Sequence, residues 1–224
     1  CTGLKEKLDR YGPPVANVLN GVDAVFLEPV SRTSNPADSP VFVYAGALNR
    51  RKGFDTLLEG FALIHDRFPQ ARLEVAGRGS WEVFYRGKAE RLGILPSIDY
   101  HGPLSQKDLK PVLDRATAFL FPSQAEGFGL PPLEAMARGC PVVTTLNEGT
   151  AEFAKEGDNC LVIDRDSPEP LAMAAIRLVE NQALAGSLGA RARATAEGFT
   201  WDSVADRTEI AMLEQYDRLA LPKA

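Results

Sequence analysis

Ala118-Phe119-Leu120-Phe121-Pro122-Ser123-Gln124-Ala125-Glu126-Gly127-Phe128-Gly129-Leu130-Pro131-Pro132-Leu133-Glu134-Ala135-Met136-Ala137 is the stretch on which the fold turns. Its first four residues form an unbroken apolar run of strand length, and Pro122 ends it. Continuous apolar runs suit strands covered on both faces, as in parallel sheets. Proline's fixed φ suits a first helical turn, so a helix is expected over Pro132–Ala137. Between strand and helix, Gly127 and Gly129 flank Phe128. Glycines there free backbone N–H groups to point outward, and a helix N-terminus behind such a loop favours an anion.

The same alternation extends in both directions. Strands are expected near Val15–Leu19, Val41–Ala45, Arg72–Ala76, Ile98–His101, Ala118–Phe121, Pro141–Thr144 and Leu161–Ile163. Helices are expected near Leu4–Tyr11, Phe54–Phe68, Trp81–Leu92, Gln106–Asp114, Pro132–Ala137, Gly149–Ala154, Pro168–Asn181, Ala183–Glu197 and Asp202–Leu219. The polar stretch Ser31–Pro40 reads as a surface loop. Strands alternating with helices predict an α/β fold, a Rossmann-like parallel sheet with helices on both faces. Such sheets bind ligands beyond the carboxyl ends of their strands, so the loops after strands are the places to look.

Bulk properties narrow the function. The chain has 224 residues, 45% hydrophobic and 25% charged, which suits one large domain or one domain with appendages. A formal net charge of -5 argues against nucleic acid as a partner. Cys1, Cys140 and Cys160 lack metal-ligand spacing, which predicts a reducing compartment, no disulfide framework and no metal site. No apolar run approaches about 18 residues, and no signal-peptide pattern is seen. The chain begins at Cys1, so it reads as part of something longer.

The loop Ala45-Gly46-Ala47-Leu48-Asn49-Arg50-Arg51-Lys52-Gly53 follows one expected strand and precedes a helix. Gly46 allows close backbone approach to a ligand. Arg51 and Lys52 precede the helix N-terminus, where the dipole disfavours cations by roughly 0.3–1 kcal/mol each. A bound phosphate removes that conflict; the alternative is a solvated basic loop. Val75-Ala76-Gly77-Arg78-Gly79-Ser80 reads as either a plain tight turn or a wall of a nucleotide pocket. Glu134 is expected in the first helical turn, where the dipole favours its charge with or without a ligand. Glu126 and Glu134 cannot face phosphates. At about 6 Å and a dielectric near 20, each such pair of like charges costs ~3 kcal/mol. Carboxylates accept from vicinal hydroxyls instead. A ligand with a central anion and a diol at each end fits, and a nucleoside diphosphate sugar has that form.

Taken in order, these motifs resemble glycosyltransferase family 4, a group of mostly retaining GT-B enzymes. Glu126 and Glu134 match its two Glu residues with seven positions between them, filled here by Gly-Phe-Gly-Leu-Pro-Pro-Leu. Asn20-Gly21-Val22-Asp23 resembles the motif where the chain passes into its second domain. Gly46–Gly53, His101-Gly102-Pro103-Leu104, Gly149-Thr150-Ala151-Glu152 and Gly157-Asp158-Asn159-Cys160-Leu161-Val162 resemble further motifs. The likeness covers about residues 15–215.

The resemblance implies the C-terminal half of a GT-B fold. Residues 1–19 would be a remnant of the acceptor domain or a linker, and 20–200 the nucleotide-sugar domain. Residues 201–224 would form a helix packing toward the other domain. Glu134 would hold the ribose and Glu126 the donor sugar. The backbone of Phe128, Gly129 and Leu130, after Gly127, would meet sugar and diphosphate. Lys52 would neutralise the departing diphosphate electrostatically, without a metal. Gly46, Gly77 and Gly102 would border the pocket. Arg51, or else Arg50, would replace the Arg that the family often carries at the position of Ala47. Cys160 stands where a glycine is often found. The implied donor is UDP- or GDP-linked, with no tightly bound cofactor. The implied acceptor is a glycan or lipid-linked molecule held by the other domain, in polysaccharide biosynthesis. The implied location is cytoplasmic, peripheral to the inner membrane face through the parent protein.

Two other functions remain open on the sequence. A non-catalytic nucleotide-sugar-binding module is favoured by Ala47. A dinucleotide-dependent oxidoreductase rests on Gly77-Arg78-Gly79 alone, and Glu82 stands where its third glycine belongs.

Overall fold

Six short segments become parallel strands: β1 Val41–Ala45, β2 Arg72–Ala76, β3 Ile98–Gly102, β4 Ala118–Phe121, β5 Val142–Thr145 and β6 Leu161–Ile163. The computed structural model describes residues 18–30, 32, 37 and 39–220, with side chains up to 216. The strand order is β3-β2-β1-β4-β5-β6, so the winding direction reverses between β1 and β4. Such a reversal opens a crevice at the carboxyl edge, and the loops after β1 and β4 flank it. Burial follows the sequence pattern: Phe42, Val43, Tyr44, Phe119, Leu120 and Phe121 are all fully buried. Each large apolar side chain contributes about 1.5–3 kcal/mol by leaving water.

The helices are α1 Ala24–Leu27, α2 Phe54–Arg67, α3 Glu82–Arg91, α4 Gln106–Arg115, α5 Leu130–Ala137, α6 Pro168–Glu180, α7 Gln182–Ala196 and α8 Trp201–Ala220. In α2, Phe54, Leu57, Leu58, Phe61 and Ile64 recur at helical spacing and are all fully buried. α2 packs on α6 and α3, while α5 packs on α7 and α1 touches α4 and α5. A helix layer therefore covers each sheet face. Arg138, fully buried, ties the base of this second layer together. It donates to both Asp114 carboxylate oxygens at 2.6 and 2.8 Å and to the carbonyls of Phe26 and Glu28.

Several expected elements shift. The region expected as a helix over Gly149–Ala154 is only a 3-10 turn, Thr150–Glu152. Asn147 Oδ1 accepts from the amides of Gly149 and Thr150, both at 3.1 Å, which diverts the backbone from a helical ladder. α5 starts at Leu130, two residues earlier than expected. Glu134 therefore lies in the second turn, not the first, and burial rather than the helix dipole governs its charge. α1 was not expected, because a single turn is too short to show a helical period. Asp23 caps it by accepting from Val25 N at 3.0 Å.

Of the strand expected at Val15–Leu19, Val18 and Leu19 belong to no strand, and residues 15–17 lie outside the described residues. The expected helix Leu4–Tyr11 also lies outside them. So does most of the assigned 1–19 remnant. Within Ser31–Pro40, the described residues 32, 37, 39 and 40 are neither helix nor strand.

The first and last described segments meet at one place. Val22 N donates to Phe199 O at 2.7 Å, and Val22 bridges Thr200. A Cβ on Gly21 would sit 2.8 Å from the Trp201 ring. Beyond Val204, α8 carries Ile210, Met212, Leu213 and Tyr216 more than half exposed. Among the described residues, no helix is long and apolar enough to cross a membrane.

Candidate functional site

The loops after β1, β2, β3 and β4 are locked together backbone to backbone. Gly46 N donates to Ala76 O at 2.9 Å, and Gly77 N donates to Gly102 O at 2.8 Å. Gly77 has φ 145, and a Cβ there would stand 1.9 Å from Gly46 O. Gly53 has φ 69, and its Cβ would stand 1.9 Å from Pro122 O. Gly46, Gly77 and Gly102 thus line one rim at the carboxyl edge, and a side chain at Gly77 would force the loops after β1 and β2 apart. Gly53 seats the basic loop against the end of β4.

That basic loop forms a 3-10 turn, Arg50–Lys52, capped by Asn49, whose Oδ1 accepts from Lys52 N at 3.0 Å. Asn49→Ala is expected to destabilise the protein by about 1 kcal/mol, the usual value of such a cap. A urea melt unchanged from wild type would show that the cap is dispensable.

The turn aims Lys52 inward. Its Nζ lies 2.7 Å from both carboxylate oxygens of Glu126. The two side chains are 17% and 8% exposed. Ser123 Oγ also donates to Glu126 Oε1, at 2.6 Å. The sequence reading gave Lys52 and Glu126 separate tasks; the fold makes them one ion pair. Neither charge could be buried alone without a large desolvation penalty. Tyr44 lies beneath. Its hydroxyl donates to Ala47 O at 2.8 Å, and burial, then the Glu126 charge, hold its pKa well above 10. Arg50 and Arg51 are exposed and have no ion-pair partner among the described residues.

The loop 127–130 presents amides. Among the described residues, no protein acceptor takes the N–H of Gly127, Phe128, Gly129 or Leu130. Pro131 and Pro132 occupy the next helical positions and carry no N–H. Donor capacity at the start of α5 is thereby confined to the glycine turn. Phe128 anchors that turn, its ring 5.7 Å from Phe153 and 6.0 Å from Phe199. A Cβ on Gly149 would lie 2.6 Å from Phe128 N, so the loop after β5 supports the turn from behind.

Glu134 sits one turn into α5, partly buried. Burial, and then the neighbouring Asp23 carboxylate, raise its pKa from 4.5 to about 7. No described side chain donates to it. The carboxylate is held in place with its acceptor capacity unused.

The fold thus gathers Lys52, Glu126, the 127–130 amides and Gly46, Gly77 and Gly102 at one sheet edge, with Glu134 on the following helix. Arg51 stays at the solvent side. Both histidines serve elsewhere: His65 pairs with Ser97 at 2.8 Å and His101 with Glu74 at 3.0 Å. Sequence reasoning missed Ser123, Asn147 and the approach of Asp23 to Glu134. Ser123 reads only as the end of a strand, and nothing local reveals a partner three residues on. Among the described residues, no group of three or more His, Cys, Asp or Glu side chains could hold a metal ion.

Residues 29–195 match the family model described as glycosyl transferases group 1. The D-inositol 3-phosphate glycosyltransferase of Streptomyces griseus is 31% identical over 187 residues, covering 80% of this chain and 40% of that protein. The lipopolysaccharide core biosynthesis glycosyltransferase LpsE of Rhizobium meliloti is 31% identical over 209 residues, covering 91% of this chain and 60% of that protein. Among solved structures, a variant of S. aureus TarM in complex with Fondaparinux, alpha-GlcNAc-glycerol and UDP superposes with a TM-score of 0.81 at 19% identity. That match covers 92% of this chain and 41% of TarM. The chain spans about half the length of the curated relatives it matches.

Proposed function

Because this chain belongs to the glycosyl transferases group 1 family, we propose that it is the donor-binding half of a GT-B enzyme that transfers a hexosyl group from a nucleoside diphosphate sugar. The observation that carries this reading is the ring of unpaired amides at 127–130 beside the Lys52–Glu126 pair. Amides at a helix start and an adjacent ammonium together suit a diphosphate. UDP in the TarM complex supports a uridine donor, and the reading keeps GDP as the alternative base.

In this reading Lys52 and the amides of Phe128, Gly129 and Leu130 hold the diphosphate. As the sugar–oxygen bond breaks, they meet the charge growing on the leaving group. Preorganised donors of this kind act without reorganising at the moment of reaction. Arg51, at the rim, adds positive potential where the diphosphate arrives. Counter-charge then comes from the protein rather than from a metal. Glu126 accepts from the sugar hydroxyls and Glu134 from the ribose diol. The other domain supplies a glycan or lipid-linked acceptor, and transfer proceeds with retention. The parent works in the cytoplasm, at the inner membrane face. This half alone turns over slowly or not at all.

Calorimetry with UDP and with GDP, in a chelator, tests the core of this reading. One of the two is expected to bind with a Kd of about 1 mM or tighter, more than ~4 kcal/mol of affinity. A folded protein that binds neither would sink the donor-site assignment. A second reading, a binding module without chemistry, rests on Ala47 in place of the family's frequent Arg. Glycosyl transfer by the longer protein would exclude it.

A further inference from the structure

We infer that Ser123 is a positioning residue for Glu126, holding its carboxylate toward the donor sugar once the diphosphate has drawn Lys52 away. This rests on the donor-site reading above. Lys52 Nζ is bound equally to both oxygens of Glu126. A diphosphate carries more charge than one carboxylate, so it competes for the same ammonium. When Lys52 turns to it, Glu126 loses both charge-assisted bonds while its side chain is only 8% exposed. A carboxylate in that position would swing out toward water unless a donor stays behind.

Ser123 is that donor. Its side chain is fully buried, and Oγ lies 2.6 Å from Oε1. Its other acceptors, the carbonyls of Arg51 and Ala125, are both at 3.4 Å, so the single proton belongs to Glu126. With Oε1 held, Oε2 is left to accept from a sugar hydroxyl.

Ser123 is itself fixed from behind. Its carbonyl accepts from Thr145 Oγ1 and from Asn147 Nδ2, the latter at 3.2 Å. The next amide, Gln124 N, donates to Arg51 O at 2.9 Å. Asn147 also grips Gly149 and Thr150, which back the Phe128 turn. The backbone at Ser123 and Gln124 thus registers the basic loop and the loop after β5, while the hydroxyl alone reaches the carboxylate, so Ser123→Ala leaves that frame in place.

The test compares a nucleotide with its sugar conjugate on this chain. UDP and UDP-glucose, or GDP and GDP-mannose, are titrated into wild type, Ser123→Ala and Ser123→Thr. Ser123→Ala is expected to weaken the nucleotide sugar about 10-fold or more, the usual weight of a hydrogen bond to a charged group. The bare nucleotide should bind as in wild type, and Ser123→Thr should keep the wild-type ratio. Both ligands meet the same folded population, so partial unfolding cancels in the ratio. Equal weakening of both ligands, or of neither, overturns the positioning role while leaving the donor site standing. Failure of wild type to bind any of the four overturns the donor-site reading, and this inference with it.

Discussion

Lys52→Ala is expected to cost about 3–5 kcal/mol of stability, the usual result of breaking a buried ion pair by removing one partner. The cause is not the lost attraction alone. Glu126 remains, 8% exposed, with the Ser123 hydroxyl as its one side-chain donor among the described residues. An uncompensated carboxylate in that place has to draw water in or move out to it. Ser123 softens the loss, which favours the lower end of the range. Removing the second charge should undo most of it, so Lys52→Ala with Glu126→Gln is expected within about 1–2 kcal/mol of wild type. Urea melts of the four proteins in the cycle measure this. A single-variant loss below about 1 kcal/mol would mean that the pair is effectively solvated. The same variant separates ligand roles. UDP binding should fall while uridine binding holds, because Lys52 is assigned to the diphosphate. Equal loss of both would refute that assignment.

Stability should also fall as pH rises between about 4.5 and 7, through Glu134. Its carboxyl carries a pKa of about 7 in the fold against 4.5 when exposed, because burial and then Asp23 oppose its charge. Below the lower value the carboxyl is protonated in both states and contributes no pH dependence. Between the two values the unfolded chain sheds the proton while the folded chain keeps it, so the folded state loses ground as pH rises. Above about 7 both forms are ionised and the loss is complete. At 1.36 kcal/mol per unit, the full change is about 3 kcal/mol. Glu134→Gln should flatten this slope, gaining on wild type from pH 4 to pH 8. Parallel pH profiles for the two proteins would show that the carboxyl is better solvated than its position implies. Ribose hydroxyls donating to Glu134 would favour its ionised form. Nucleoside binding near pH 7 should then release part of a proton, visible as a buffer-dependent binding enthalpy.

Much of this was legible in residue order, and the reason is local. The runs at Val41–Ala45, Arg72–Ala76, Ala118–Phe121 and Leu161–Ile163 became strands with the expected ends, since apolar blocks stopped by Gly, Pro or Asp carry their own boundaries. α2 was equally plain, with five apolar residues at helical spacing. Boundaries failed where a long-range contact intervened. Gly149 is pressed against Phe128 and held by Asn147, which turned an expected helix into one 3-10 turn. At Leu130–Pro132 the helix began before the prolines rather than at the second of them, which moved Glu134 out of the first turn.

By itself the sequence determined the parallel α/β sheet, the loops that bear the site, and the kinds of groups they offer: glycine amides, a basic turn and two carboxylates. Periodicity, turn chemistry and charge type are properties of neighbouring residues, and order alone preserves them. Only the tertiary structure decided how those groups pair. Lys52 and Glu126 lie 74 positions apart, yet share one ion pair with Ser123. Asp23 and Glu134, from separate segments, meet closely enough to repel. Burial and pairing depend on distances across the sheet edge, which the chain sets only when the loops after β1 and β4 close on each other.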